Sequence, residues 1–337
     1  MWGKRSAIWI ALLALAAELN AAAVFQFPTA NQALLEPGGG ERFFVGTAGK
    51  PWTSGQFGCV RSEGYQFHEG LDIRCLQRDK HGEPIDPVCA AADGTVAYVN
   101  AKPALSPYGN YVLLRHQVEG LEVYSLYAHL SAVRAGLTPG VVVRRGELIA
   151  TMGRTSNTRQ TITKDRAHCH FELDVLGTDR YVQWHQARLP EQRNDHGVFN
   201  GFNLFGLDPA RLFHEEARLG TNFSLVRFLQ SEPVLCRVAV RVKSFPYLRR
   251  YPSLVVRNPV AERQGVAGYE LELSFNGLPL RITPRAASEL KSPAKVTLLS
   301  VNEAEQKSRP CGKLVLKRGE SWTLLAHGQQ LIDQITY

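Results

Sequence analysis

The stretches YVLLRH (111–116) and LEVYSLYAHL (121–130) are short, apolar and rich in β-branched and aromatic residues. Similar short runs occur from Phe57 to about Leu176, with turn residues such as Asp93-Gly94 and Pro139-Gly140 between them. We find no long stretch of helical periodicity in this region. Short strands separated by turns are typical of antiparallel β structure. The pattern therefore predicts a mainly β protein whose central domain is built from antiparallel strands.

Strand patterns return in the last third of the chain, where Asn276-Gly277 between apolar runs predicts a hairpin turn. Before them, Asp208-Pro209 has the residue types of a helix N-cap followed by proline at the first helical position. We predict a central β domain at 24–205, a helical connector at 206–230, and a smaller β-rich domain at 231–337.

The N-terminal residues have the pattern of a signal peptide. Lys4 and Arg5 precede the apolar run at 7–17, and three alanines at 21–23 provide small residues for cleavage. We therefore expect residues 1–23 to direct export, with the body of the protein in the periplasm, outside the cell or on the cell wall. The alternative is an uncleaved N-terminal anchor.

The composition is that of a globular protein, with 44% hydrophobic and 21% charged residues. This excludes a disordered chain or a coiled coil, and no later run approaches the roughly 20 apolar residues of a membrane span. Residues 231–337 hold 16 Lys/Arg and 9 Asp/Glu, a net +7, whereas residues 24–230 are balanced. We expect the basic domain to meet an anionic wall or membrane surface, and we expect no nucleic-acid partner. The oligomeric state stays open.

The chain has six cysteines, and disulfides persist in exported proteins. Six cysteines allow 15 pairings, and no C-x-x-C pair suggests a zinc ribbon or a thioredoxin-type site. Cys236 and Cys311 are alone in the last third, so pairing them is the economical guess. We interpret Cys169 as a buried thiol rather than a metal ligand.

Two short motifs place potential metal ligands together. If HEGLD (68–72) is a strand, His68 and Asp72 share one face, and Gly70 leaves a gap over which a metal ion could sit. In HCHFE (168–172), a strand would likewise put His168 and His170 on one face, with the intervening cysteine toward the core. Each motif alone is modest evidence, because surface residues produce the same spacing.

A third segment, YAHLS (127–131), adds His129. A catalytic zinc site usually has three protein ligands and an open position, and two histidines plus a carboxylate form such a set. The two remaining histidines could then act as a base and an electrophile beside the metal. Glu172 either orients a ligand or is a simple exposed charge.

Together these segments resemble the LytM/lysostaphin-type zinc metalloendopeptidases, which cut peptidoglycan cross-bridges or stems. The resemblance runs from about Phe57 to Leu176 and includes the ordered segments at 68–72, 93–96, 109–116, 127–131 and 168–172. It departs from the family in Cys169, where a leucine is usual, and in Thr155-Ser156, where many relatives carry Thr-Gly.

The resemblance implies one zinc per chain, held by His68, Asp72 and His170, with His129 and His168 as the catalytic pair. It implies a peptidoglycan peptide as substrate, without indicating which bond is cut. The alternative is a non-enzymatic wall-binding or regulatory protein on the same fold. Residues 24–56 and 177–205 are candidates to wall the cleft or to block it.

Overall fold

The computed structural model describes residues 24–159 and 161–337, and most of its strands are antiparallel. This confirms the predicted mainly β fold. The strands up to residue 207 are β1 (Gly58–Arg61), β2 (Gln66–His68), β3 (Leu71–Arg74), β4 (Pro87–Cys89), β5 (Gly94–Asn100), β6 (Tyr111–Val118), β7 (Leu121–Ala128), β8 (Ala132–Val133), β9 (Val142–Val143), β10 (Leu148–Thr151), β11 (His168–Leu176) and β12 (Leu204–Leu207).

The later strands are fewer, and the helices are mostly short. The strands are β13 (Cys236–Val240), β14 (Gly268–Leu273), β15 (Pro279–Arg285), β16 (Val296–Val301), β17 (Val315–Arg318) and β18 (Ser321–Leu324). The α-helices are α1 (Gly40–Phe43), α2 (Tyr181–Arg188), α3 (Pro209–Leu219), α4 (Leu225–Gln230), α5 (Pro246–Arg250), α6 (Pro259–Gln264), α7 (Glu303–Ser308) and α8 (Ala326–Ile335).

A seven-stranded sheet in the order β12-β11-β7-β6-β5-β9, with β3 also paired to β11, forms the main framework. Strand β11 pairs with β7 along one side, and with β3 and then β12 along the other. In this register His170 lies opposite Asp72 on one side and Ala128 on the other. The sheet register therefore gathers three distant sequence motifs around one residue.

The face of these strands that turns away from the motif histidines is core. Leu71, Ile73, Cys169 and Phe171 are fully buried. Alternation along a strand puts such residues opposite the motif side chains. Cys169 is a free thiol, as expected from the sequence.

Helix α3 begins where the sequence predicted, because the Asp208 side chain accepts hydrogen bonds from the backbone N–H groups of Ala210 and Arg211. Burial of Leu212 and Phe213 seats the helix on the core that underlies the main sheet.

Strands β13 to β16 form a four-stranded antiparallel sheet in the order β15-β14-β13-β16. Its β14–β15 hairpin turns at Asn276-Gly277, and Gly277 adopts a positive φ of 87°. One buried apolar cluster runs from Leu71 beneath the main sheet to Leu271 and Ile282 of this second sheet. The division into separate domains stays a prediction.

The guessed Cys236–Cys311 disulfide is wrong. Cys311 is bonded to Cys59, with a Cα–Cα distance of 5.3 Å, whereas Cys236 is a free thiol buried in β13. The guess assumed that cysteines near in sequence pair with one another. Cys311 follows α7 and lies beside β1 instead, so the bond joins residues 252 positions apart.

The signal-peptide prediction for residues 1–23 lies outside the described residues. Within 24–159 and 161–337, no helix combines the length and apolarity that a membrane span requires.

Candidate metal centre

The HEGLD motif is not one continuous strand. Strand β2 ends at His68, β3 begins at Leu71, and the chain bends at Gly70. A Cβ atom on Gly70 would lie 2.3 Å from the carbonyl oxygen of Phe171. The expectation that Gly70 opens a gap for a metal is therefore wrong: the glycine lets β11 approach. His68 and Asp72 nevertheless point to the same site.

Three predicted ligands converge there. Asp72 Oδ1 lies 2.9 Å from His170 Nδ1 and 3.2 Å from His68 Nε2, and the two imidazole nitrogens are 3.2 Å apart. All three side chains are buried. Among the residues that the structure describes, they form the one cluster of His, Cys, Asp or Glu whose geometry could hold a metal ion.

The outer nitrogens of both histidines are fixed by acceptors. His68 Nδ1 donates to the carbonyl oxygen of Gln56 at 2.7 Å, and His170 Nε2 donates to Glu172 Oε1 at 2.6 Å. The nitrogens that face each other are therefore free to present lone pairs, alongside a carboxylate oxygen. Such a set is repulsive unless a cation lies among its members, so the residues present fit a divalent metal. Glu172 is buried and orients a ligand; it is not an exposed charge.

A proton can compensate the same cluster when no metal is bound. Burial opposes protonation of His170, but its hydrogen bonds with Asp72 and Glu172 outweigh burial and raise its pKa to about 9. Burial would raise the pKa of Asp72, yet the neighbouring His168 and His68 hold it well below its usual range. Burial lowers the pKa of His68. The ligands therefore form an ionised carboxylate between imidazoles of different basicity.

His129 and His168 stand beside this cluster. Their ring centroids are 4.8 Å apart, and His168 Nε2 lies 3.4 Å from Asp72 Oδ1. His129 Nδ1 donates to the carbonyl oxygen of Thr155 at 2.8 Å, and His168 Nδ1 donates to that of Arg166 at 2.7 Å. Each ring therefore keeps its Nε2 as the nitrogen available to take a proton.

The position of His129 is set by an unusual backbone. The residue follows the end of β7 with φ of 61°, in the left-handed region that non-glycine residues seldom occupy. Its N–H donates to the carbonyl oxygen of Tyr108 at 2.8 Å. Burial, followed by the positive charges of His168 and His170, lowers the pKa of His129 well below its usual value. A neutral imidazole is thus held next to the ligand cluster.

Sequence reasoning missed Arg61. Its Nη2 donates to Asp72 Oδ2 at 2.8 Å, which leaves Oδ1 of the same carboxylate to face the imidazoles. Arg61 lies on β1, which pairs with β2 and so runs beside His68. The sequence carries no motif for this residue, although a hairpin leading into His68 would have placed it nearby.

The site opens into a cleft of about 710 Å³. Its lining includes Asp72, His129, His168 and His170, but not the more deeply buried His68. Residues 24–56 and residues 177–205, which the sequence suggested as walls or as a block of the cleft, both contribute to its lining. They supply Thr47, Ala48, Arg193, Asp195, His196, Asn200, Gly201 and Phe202.

Three arginines line this cleft, and two of them are paired, Arg61 with Asp72 and Arg193 with Asp195. The third, Arg166, is half-buried and donates Nε to the carbonyl oxygen of Gly46 at 3.0 Å. Within 24–159 and 161–337 it forms no ion pair at salt-bridge distance. Among the described residues, Arg166 is therefore the arginine of the cleft without a salt-bridge partner.

The antiparallel sheet presents a His–Asp–His donor set beside two further histidines, an arrangement that suits metal-assisted hydrolysis. Residues 66–182, about a third of the chain, match the model of peptidase family M23. The matched range contains all five predicted site residues. No curated protein matches the chain.

Several solved structures are similar over part of the chain. A zinc-containing peptidase from Vibrio cholerae is 28% identical with a TM-score of 0.24, covering 32% of this chain and 26% of its own. The catalytic domain of the antimicrobial peptidase lysostaphin from Staphylococcus simulans is 19% identical with a TM-score of 0.29, covering 48% and 87%.

The catalytic domain of the prophage-encoded M23 protein EnpA from Enterococcus faecalis is 21% identical with a TM-score of 0.26, covering 35% of this chain and 75% of its own. The chain thus spans about a quarter of the Vibrio cholerae protein and most of the other two. All three TM-scores are low.

Proposed function

We propose that the protein is an exported zinc metalloendopeptidase that hydrolyses peptide bonds in peptidoglycan cross-links or stems. The observation that carries the proposal is the convergence of His68, Asp72 and His170 next to two histidines with available Nε2 atoms, inside a cleft. Zinc held by these three residues would act as a Lewis acid and lower the pKa of water toward about 7.

The protein's own groups supply the proton transfers. One of His129 and His168 takes a proton from water through Nε2, and the other steadies the developing oxyanion or protonates the leaving amine. Hydrogen bonds to Thr155 and Arg166 keep both rings in the required orientation. The low pKa of His129 suits a group that must be neutral before it accepts a proton.

The charge of the cleft favours a peptide that carries a free carboxylate. Arg166 lines the cleft and lacks an acidic partner at salt-bridge distance in the described part of the chain, so an anionic group of the ligand would compensate it. Cross-linked stem peptides carry such carboxylates, whereas bridges built only of glycine do not. Export agrees with the N-terminal sequence pattern and with the Cys59–Cys311 disulfide.

Mass spectrometry of products from defined muropeptides tests the proposal. We expect zinc-loaded protein to release two fragments whose summed mass exceeds that of the substrate by one water. A chelator should stop the reaction and added zinc should restore it. If zinc binds at these residues but no muropeptide is cut, the alternative is supported: a non-enzymatic wall-binding or regulatory protein.

A further inference from the structure

Strand β1 brings a charged side chain to the metal centre from outside the histidine motifs. Arg61 donates to Asp72 Oδ2 at 2.8 Å, and its side chain is 25% exposed while that of Asp72 is 2% exposed. A charge-assisted hydrogen bond to a buried carboxylate is among the stronger polar contacts in proteins. It determines which oxygen of Asp72 faces His68 and His170.

The same strand is covalently bonded to a segment 252 residues away in sequence. Cys59, two residues before Arg61, is bonded to Cys311. The β1–β2 ladder pairs Gly58 with His68, but its register shifts between Cys59 and Arg61. The ladder resumes at Arg61, which pairs with Gln66, and the disulfide supplies a second attachment beside the irregular point.

Aromatic packing near the disulfide also connects residues 231–337 to the β1–β2 hairpin. The ring of Phe275, which follows β14, lies 5.5 Å from Phe67 and 6.3 Å from Phe57. The guanidinium of Arg309 lies over Phe275 at 5.0 Å. Residues 231–337 therefore hold both strands of the β1–β2 hairpin, one by a covalent bond and the other by aromatic contacts.

We infer that Arg61 is a positioning residue of the metal centre, and that the Cys59–Cys311 disulfide makes its position depend on residues 231–337. The inference rests on the proposed metal site. In this arrangement the guanidinium binds Oδ2 of Asp72 and leaves Oδ1 facing the imidazoles, and the disulfide holds the strand that carries the guanidinium. Removing either one should weaken metal binding without removing a ligand.

Zinc affinity, measured by competition with a chromophoric chelator, tests the role of Arg61. Loss of a group that orients a metal ligand typically costs about 10- to 100-fold in metal affinity, which we expect for Arg61→Gln. Arg61→Lys keeps the charge without the planar fork and should recover part of the loss. Arg134→Gln, which breaks an ion pair with the partly exposed Glu147 away from the cleft, is the control and should bind zinc like the wild type.

The visible absorption spectrum of cobalt-loaded protein distinguishes an effect of Arg61 on the metal ligands from an effect on stability alone. We expect the visible absorption of cobalt-loaded Arg61→Gln to differ from that of the wild type, because the carboxylate oxygen facing the metal is no longer fixed. The spectrum of cobalt-loaded Arg134→Gln should match the wild type.

The disulfide is tested with Cys311→Ser, and Cys89→Ser, which removes a free cysteine, is its control. Cys311→Ser should lower zinc affinity, and Cys89→Ser should not. If the disulfide acts through Arg61, the Arg61→Gln/Cys311→Ser double variant should bind zinc no more weakly than Arg61→Gln.

Reduction of the folded wild type offers the same comparison without a substitution. A phosphine converts the disulfide to two thiols and is itself converted to its oxide with oxygen from water. Zinc affinity after removal of the phosphine should fall to the level of Cys311→Ser.

The possible outcomes distinguish failure of the proposed metal centre from failure of the role inferred for Arg61. A wild type that binds no zinc would overturn the proposed metal centre, and the inference with it. A wild type that binds zinc, with an Arg61→Gln variant unchanged in affinity and cobalt spectrum, would overturn only the role of Arg61. A fully additive loss in the double variant would overturn the coupling through the disulfide.

Discussion

The metal centre and residues 231–337 contribute to the cleft in different ways: the first supplies the predicted site residues, and the second contacts the segments around them. The centre takes its five predicted residues from β2, β3, β11 and the residue after β7. Residues 231–337 contribute none of them. They contact the surroundings of the site instead. Cys311 is bonded to Cys59 on β1, and Gln334 of α8 donates to the carbonyl oxygen of Phe202 in the cleft wall at 3.0 Å.

The residues proposed for the chemistry and the residues that hold them in place are therefore positioned by different kinds of contact. The ligands are placed by β-sheet register, so their geometry follows from hydrogen bonding between neighbouring strands. The wall and Arg61 are placed by contacts between segments far apart in sequence, for which no local pattern exists. Further polar contacts of this kind join Trp184 to Asp333 and Leu176 to Tyr251.

The largest effect should follow loss of a ligand. We expect His170→Ala, like His68→Ala or Asp72→Ala, to abolish stoichiometric zinc and all turnover, because two protein ligands rarely hold a catalytic zinc. His81→Ala, which changes an exposed histidine that does not line the cleft, is the control. Full zinc content in the His170→Ala protein would contradict the ligand assignment.

Removing the catalytic pair should have a smaller effect of a different kind. His129→Ala and His168→Ala should keep zinc and lose about 100- to 10,000-fold in turnover, the usual contribution of general acid–base groups. Metal analysis and steady-state kinetics on the same preparations distinguish the two cases. Near-normal turnover with zinc bound would remove the pair from the mechanism.

Strand-like spacing in two short segments suggested that His68 and Asp72, and His168 and His170, share a site, while the resemblance to the LytM/lysostaphin-type family supplied His129 and the roles of all five residues. The bend at Gly70 could not be predicted, since it depends on the close approach of Phe171 from β11. The Cys59–Cys311 bond joins residues 252 positions apart, and no local pattern encodes such proximity. Arg61 was missed for the same reason.

Zinc uptake by the metal-free protein should depend on pH. The pKa of His170 is raised from 6.5 to about 9, so its proton stabilises the metal-free fold fully below pH 6.5, and this contribution is lost as the pH rises through 9. Zinc must displace that proton. We expect affinity to rise about tenfold per pH unit between pH 7 and 8.5 and to level off above 9. A flat profile in chelator competition would contradict this electrostatic account of the ligands.

The role of Arg166 in the cleft can be tested by comparing a peptide that carries a free carboxylate with the same peptide as its amide. We expect Arg166→Gln to raise KM about tenfold for a carboxylate-bearing peptide and little for its amide, since a hydrogen bond to a charged group contributes about 1.5–3 kcal/mol. Arg193→Gln, whose guanidinium is already paired with Asp195, is the control. Equal KM changes for acid and amide would show that Arg166 does not select the carboxylate.

The smallest effect concerns the basic surface of residues 231–337. We expect binding to intact sacculi to weaken with salt, and Lys313→Gln/Arg318→Gln to bind a few-fold less at low ionic strength, since both residues are exposed. Lys80→Gln/Lys102→Gln removes two exposed charges elsewhere and is the control. If both double variants pellet with sacculi as the wild type does across a salt series, residues 231–337 act as structural support alone.

The central claim is that His68, Asp72 and His170 together bind the catalytic metal. Crystals of zinc-loaded residues 24–337, measured at the zinc absorption edge, test it most directly. We expect one anomalous peak for zinc per chain, about 2.0–2.2 Å from His68 Nε2, Asp72 Oδ1 and His170 Nδ1. A peak at other residues, or stoichiometric zinc with no peak among these three, would contradict it.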